Sequence, residues 1–223
     1  MSISQTIDHT ILKPEADAAQ IRTLCSEARQ YGFAAVCVNP TWVPLASELL
    51  QDSGVNVCSV VGFPLGASRT QTKVNEAQWA IAAGAREIDM VINLGWVKGN
   101  ELAKVSEDIA AVRAAAPRPV LLKVIIESAI LTDDEIQAVS YLCVEQGAEF
   151  VKTSTGMHPA GGAKIEHVDL IRKTVGARAR IKASGGIRTY ADVKAFLDAG
   201  ASRIGCSASV EIMKEAQARG SVS

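Results

Sequence analysis

The sequence predicts an α/β protein, a single (β/α)8 barrel, and three observations predict it. Eight short β-branched runs alternate with longer helical patterns within 223 residues, the compact end of the barrel range. The turn after the first run, "IDHTILKP", is not the glycine-rich nucleotide turn that a doubly wound open sheet would place there. A single choice of strand parity sends apolar side chains outward to the helices and gathers charged ones inside.

Each element follows in order. "TIDHT" (6–10) opens the pattern, and the apolar spacing of 16–32 is helical and ends in Gly32, the residue favoured just past a helix end. "AAVCVN" (34–39) and "NVCSVVGFP" (56–64) are strand-like, and "TKVNEAQWAIAAGA" (72–85) is a helix closed near Gly84. "EIDMVIN" (87–93) precedes the helical "ELAKVSEDIAAVRAAA" (101–116). "PVLLKVIIE" (119–127) is followed by "TDDEIQAVSYLCVEQGA" (132–148), where Thr132 and the acids after it suit a helix start. "FVKTST" (150–155), "RIKASGG" (180–186) and "SRIGCSA" (202–208) complete the strands, and "TYADVKAFLDAGA" (189–201) repeats the threonine start. No linker divides the chain, so residues 1–223 are expected to form one domain, with a frayed tail from about residue 217.

Bulk properties exclude several function classes. A net charge of −1 gives no basic face for nucleic acid or an anionic membrane, although a small anion site is compatible with it. No apolar run approaches membrane-spanning length, and the start "MSISQTIDHT" is unlike a signal peptide. The five cysteines are odd in number and unpaired in pattern, as expected of free thiols in a reducing cytoplasm. His9, His158 and His167 show no metal-ligand spacing, so neither metal nor cofactor is expected.

Three strand segments each carry one lysine where a hydrophobe would be safer: "LLKVIIE", "FVKTSTG" and "RIKASGG". With Lys152 inward, Val151 and Thr153 face out; Leu121, Lys123, Ile125 and Glu127 face in, while Leu122, Val124 and Ile126 face out. Glu87, Asp89, Val91 and Asn93 share the inner face, as do Cys37 with Asn39, Lys182 with Ser184, and Gly205 with Ser207. The lumen therefore gathers Asp89, Lys123, Lys152 and Lys182. A lone strand lysine is more often structural, paired here with Glu87, Asp89 or Glu127. Three at similar depth point elsewhere, because desolvation and like charge favour one neutral amine, the nucleophile that imine chemistry needs. Parity does not say which lysine attacks. "SGGIR" (184–188) and "GCSAS" (205–209) follow the last two strands, where barrels often bind phosphate through backbone N–H groups; "TSTGMHPAGG" adds hydroxyls and glycine.

"DHTILKP", "EIDMVINLG", "LLKVIIES", "FVKTSTG", "IKASGGIRT" and "RIGCSAS", in this order, closely resemble the deoxyribose-phosphate aldolase family over Ile7 to about Ser209. The resemblance implies a metal-independent class I aldolase that reversibly cleaves 2-deoxy-D-ribose 5-phosphate to acetaldehyde and D-glyceraldehyde 3-phosphate. It implies Lys152 as the Schiff-base lysine, with Lys182 and Asp89 as its proton donor/acceptor partners. Phosphate is then expected at Gly185, Gly186, Arg188 (backbone or side chain), Gly205 and Ser207, with Thr155 and Gly156 beside them. Asp8, Thr10 and Lys13 either line the mouth or pack the strand start, and Lys123 either acts electrostatically on substrate or forms an ion pair. Cys37 is read as a packed thiol, the alternative being addition to enals formed from excess acetaldehyde. The chain departs from relatives at Met157, where many carry lysine or an aromatic, and in ending "RGSVS", where some end in a tyrosine that reaches the site. A homo-oligomer, dimer or tetramer, is the expected assembly; Trp42 and Trp79 either mark its interface or pack helices on the barrel. The competing readings are another Schiff-base phosphosugar aldolase and a phosphosugar-binding barrel without turnover.

Overall fold

A computed structural model describes residues 2–220. After a short 3-10 turn at Ile3–Thr6 the chain alternates strand and helix throughout. The order begins β1 (Ile7–Ile11), α1 (Ala18–Tyr31), β2 (Ala35–Val38), α2 (Val43–Leu49), β3 (Asn56–Val61) and α3 (Thr70–Ala82). It continues with β4 (Glu87–Val91), α4 (Leu94–Lys98), α5 (Leu102–Ala115), β5 (Leu121–Ile125), α6 (Asp133–Glu145) and β6 (Phe150–Lys152). α7 (Ile165–Val175), β7 (Arg180–Ser184), α8 (Tyr190–Asp198), β8 (Arg203–Cys206) and α9 (Ser209–Ala218) complete it. The eight strands form one closed parallel barrel in sequence order, with β1 paired to β8. Residues 217 and 218, expected in a frayed tail, belong instead to α9; residues 221–223 lie outside the described residues.

Local chemistry sets the helix ends. Thr132 and Thr189 cap α6 and α8, each accepting the backbone N–H three residues on, while Glu135 and Asp192 return the bond to the cap. Asp17 and Gln20 do the same at α1, a start that the pattern alone did not single out. At the other end of α1, Gly32 takes a left-handed conformation (φ 64°), which a side chain would disfavour.

Packing follows the parity of the strands. Ile88, Met90, Leu122, Val124 and Val151 are fully buried in the layer between sheet and helices. Each fully buried aliphatic side chain of this kind contributes about 1.5–3 kcal/mol relative to exposure. A buried ion pair also sits in this layer: Lys73 on α3 reaches Asp108 on α5 at 2.6 Å and donates to the Val91 carbonyl at 2.9 Å. The lumen is divided. Leu12, Ala35, Cys37, Cys58 and Val60, with Phe63 against them, make an apolar wall on the β1–β3 side. The opposite side is charged. Toward the amino ends of the strands, Phe150 is buried with the Arg180 guanidinium 4.0 Å and the Arg203 guanidinium 5.5 Å from its ring centroid.

Candidate active site

Register places the lysines. Asp89 pairs with Lys123 across β4–β5, Ile125 with Lys152 across β5–β6, and Lys152 with Lys182 across β6–β7. All four polar side chains therefore face inward on neighbouring strands, and all are buried. Asp89 is their common acceptor: Lys123 donates to Oδ1 at 2.7 Å, and Lys152 and Lys182 both donate to Oδ2 at 2.7 Å. The Cys58 thiol also donates to Oδ1, at 3.1 Å.

The network extends downward through residues that the motif reading had not joined. Lys182 is tied to Asp8 as well as Asp89, and Lys123 reaches Glu87 at 2.6 Å. Arg203 closes the far end on Asp8 and Glu87. Four cations (Lys123, Lys152, Lys182, Arg203) thus share three carboxylates (Asp8, Glu87, Asp89). Burial would raise the carboxyl pKa of Asp89, but Lys123, Lys152 and Lys182 outweigh it and hold the group well below the usual carboxylate range. Asp8 is likewise lowered, with Lys182, Arg203 and Lys123 overcoming burial. Burial would discharge Lys182, yet Asp8 and Asp89 hold its pKa above the usual lysine range. Lys123 is raised in the same way, chiefly by Asp89 against burial. Lys152 stands apart, with one carboxylate oxygen for a partner and that oxygen shared with Lys182.

Above Lys152 the barrel opens into a cavity of about 370 Å³ at the carboxyl ends of the strands. Lys152, Thr10, Thr155, Gly156, Gly185, Gly186, Arg188, Gly205 and Ser207 line it, together with Lys13, Met157 and Ser184. A larger cavity, about 580 Å³, lies between β1 and α1 and reaches none of the lumen amines, so the smaller one is the candidate site.

The structure corrects several expectations. Asp8 and Lys123, each left open between a place at the substrate and a packing or ion-pair role, lie fully buried and line none of the cavity, and both are ion-paired. Glu127 makes no ion pair with Lys123, because β5 ends at Ile125 and Glu127 turns out of the strand with φ 52°. Its carboxylate instead accepts the Thr155 backbone N–H, at 3.2 and 3.3 Å to its two oxygens, and the Thr155 hydroxyl. Arg188 lines the cavity with its backbone N–H already donated to Asp192 at 3.0 Å, which leaves the side chain. Gly205 serves packing too: a Cβ there would meet Lys182 Cε at 3.0 Å. Cys37 is fully buried, with Sγ 4.0 Å from Asp89 Oδ2.

Glu87, placed by parity on the inner face as a possible lysine partner, pairs with Lys123, whereas Arg203 and Cys58 were not singled out. Arg203 shares the parity of Gly205, the one signal that could have found it. Cys37, Cys58 and Asp89 offer ligand-type atoms within 4.8 Å of one another, a set that sequence spacing hides because it comes from three strands. A metal ion there would have to displace the ammonium groups that already occupy both Asp89 oxygens.

Fold and site together define the class: a (β/α)8 barrel with an amine network under the carboxyl ends of its strands. Comparison with known proteins gives the family. The family model described as DeoC/LacD family aldolase matches residues 2–213. The chain is 52% identical over 221 residues to the deoxyribose-phosphate aldolase of Halalkalibacterium halodurans, covering 99% of this chain and 98% of that one. It is 54% identical over 220 residues to the deoxyribose-phosphate aldolase of Streptococcus suis, covering 99% of both. Among solved structures, the tetrameric deoxyribose phosphate aldolase of Aeropyrum pernix superposes with a TM-score of 0.90 at 32% identity, over 97% of this chain and 92% of that one. The chain belongs to the DeoC/LacD family of aldolases.

Proposed function

We propose that this protein is a class I aldolase that reversibly cleaves 2-deoxy-D-ribose 5-phosphate to acetaldehyde and D-glyceraldehyde 3-phosphate, with Lys152 as the imine-forming residue. One observation carries the assignment to Lys152. The lumen network holds four cations against three carboxylates, so one neutral amine brings it to charge balance. Lys152 has the fewest ion-pair partners of the four and is the one lysine of the three that lines the cavity. Lys182, doubly paired, stays protonated.

The steps follow from these positions. The free amine of Lys152 attacks the C1 aldehyde of the open-chain sugar, and the carbinolamine loses water to give an iminium ion. The iminium accepts the electron pair of the C2–C3 bond as that bond breaks, while the C3 hydroxyl gives its proton through water to Asp89, which lies buried beneath the cavity, with Lys182 as the adjoining donor. D-Glyceraldehyde 3-phosphate leaves. The enamine is reprotonated at carbon and hydrolysed, releasing acetaldehyde and the lysine. The phosphate lies over Gly185, Gly186, Gly205 and Ser207 with the Arg188 side chain beside it, a cradle that Thr155 and Gly156 continue. Thr10 borders the same cavity.

The assembly that goes with this reading is a homo-oligomer of two or four copies, supported by the tetrameric relative. Its setting is the cytoplasm, supported by five free, buried cysteines; no helix among the described residues is long and apolar enough to cross a membrane.

Borohydride reduction in the presence of 2-deoxyribose 5-phosphate, followed by intact mass and peptide mapping, tests the assignment. The adduct is expected on Lys152, absent from Lys152→Ala and still formed by Lys182→Ala. A folded protein that gives no adduct yet binds the sugar phosphate would move the reading to a non-catalytic binding barrel.

A further inference from the structure

We infer that Lys13 is the second cation of the phosphate subsite and sets the preference for phosphorylated over unphosphorylated sugars, an inference that rests on the phosphosugar reading above. A phosphate monoester carries about −1.5 to −2 charge at neutral pH, and the cavity offers it few positive groups. Its basic side chains are Lys13, Arg188 and the imine-forming Lys152, which the mechanism reads as a neutral amine, and no carboxylate lines it. Lys152 is tied to Asp89 on the floor. Arg188 brings a single guanidinium charge, its backbone N–H being taken by Asp192 at 3.0 Å. Arg188 alone therefore leaves the phosphate short of compensating charge.

Lys13 stands where the second charge is needed. β1 pairs with β8 through Asp8 with Gly205 and His9 with Cys206, so the chain leaving β1 runs beside Ser207, one wall of the glycine cradle. Its backbone is fixed: the carbonyl accepts from Ala16 N–H at 3.1 Å, and the preceding Leu12 carbonyl accepts from the Asn39 side chain at 3.3 Å. Pro14 follows and restricts Lys13 to an extended conformation. The side chain, by contrast, is exposed and its ammonium has no hydrogen bond or ion pair among the described residues. With the backbone already fixed, only the lysine side chain has to be ordered when it closes on the ligand.

Steady-state kinetics of Lys13→Met on 2-deoxyribose 5-phosphate and on 2-deoxyribose test this, with inorganic phosphate as competitive inhibitor. The phosphorylated sugar is expected to lose about tenfold more kcat/KM than the unphosphorylated one, through KM, as removal of one charge-assisted contact predicts. The inhibition constant of inorganic phosphate rises by a similar factor, and Lys13→Arg restores most of both. Equal losses on the two sugars, or an unchanged inhibition constant, overturn the role. A wild-type protein that traps neither sugar on Lys152 removes the aldolase reading itself, and this one with it.

Discussion

Asp89 accepts three lysine amines and the Cys58 and Cys37 thiols through two oxygens, all of them buried. Asp89→Asn keeps the shape and removes the charge, leaving Lys123, Lys152 and Lys182 around a neutral amide. On the proposed mechanism, removing the carboxylate is expected to lower kcat by about 10²–10⁴-fold. Breaking a buried charge network from one side costs about 3–5 kcal/mol, which a urea titration reads as a lower midpoint at unchanged slope. Wild-type turnover in this variant would remove Asp89 from the chemistry. The residue types were legible from strand parity alone: Asp89, Lys123, Lys152 and Lys182 face one way because side chains alternate along a strand. Their division of labour was not. Lys123 and Lys152 have the same parity and the same sequence setting, and only the depth of each in the barrel makes one a structural ion pair and the other the wall of a cavity.

At the scale of elements, the cradle depends on the loops after β6 and β7 touching through glycine. A Cβ on Gly185 would meet the Cα of Gly162 at 2.9 Å and of Gly156 at 3.1 Å, and Gly185 itself has φ 88°. Gly185→Ala is expected to store strain of order 1–3 kcal/mol and to push the two loops apart. Its signature is a KM for 2-deoxyribose 5-phosphate raised severalfold with adduct formation on Lys152 retained; an unchanged KM would show that the loops do not shape the phosphate subsite. Glu127 supports the same seam by accepting both polar hydrogens of Thr155, whose hydroxyl in turn accepts the Met157 N–H at 3.1 Å. Away from the mouth, Lys73 and Asp108 join α3 to α5 without solvent exposure. Lys73→Met leaves Asp108 buried without its cation and is expected to cost about 3–5 kcal/mol while leaving adduct formation intact, which thermal melting and borohydride trapping together would read.

For the whole molecule, the lumen network makes stability depend on pH at both extremes. Asp8 and Asp89 are held below their ordinary value of 3.8 in the fold, so their contribution is present above that pH and is lost as pH falls further. Lys123 and Lys182 are held above their ordinary 10.5, so theirs is complete below that pH and is lost only as pH rises through the raised values. Urea midpoints should therefore vary little between about pH 7 and 9, decline as His9 and His167, both held below their ordinary 6.5, take up protons, and fall further toward pH 3, with a shallower decline below about pH 4 in Asp89→Asn; an identical decline there would place the acid sensitivity elsewhere. The sequence by itself determined the barrel, the order of its units, the inward set of charged residues and the glycine-rich ends of the last strands, because alternation, helical periodicity and turn chemistry are local and survive without coordinates. The tertiary structure decided which charges meet. Asp8 and Lys182 are joined across the β1–β8 closure of the barrel, far apart in the chain, and Arg203 and Glu87 meet across the lumen. Such contacts depend on ring closure and depth, which place residues from different strands in one layer and which no short stretch of sequence encodes.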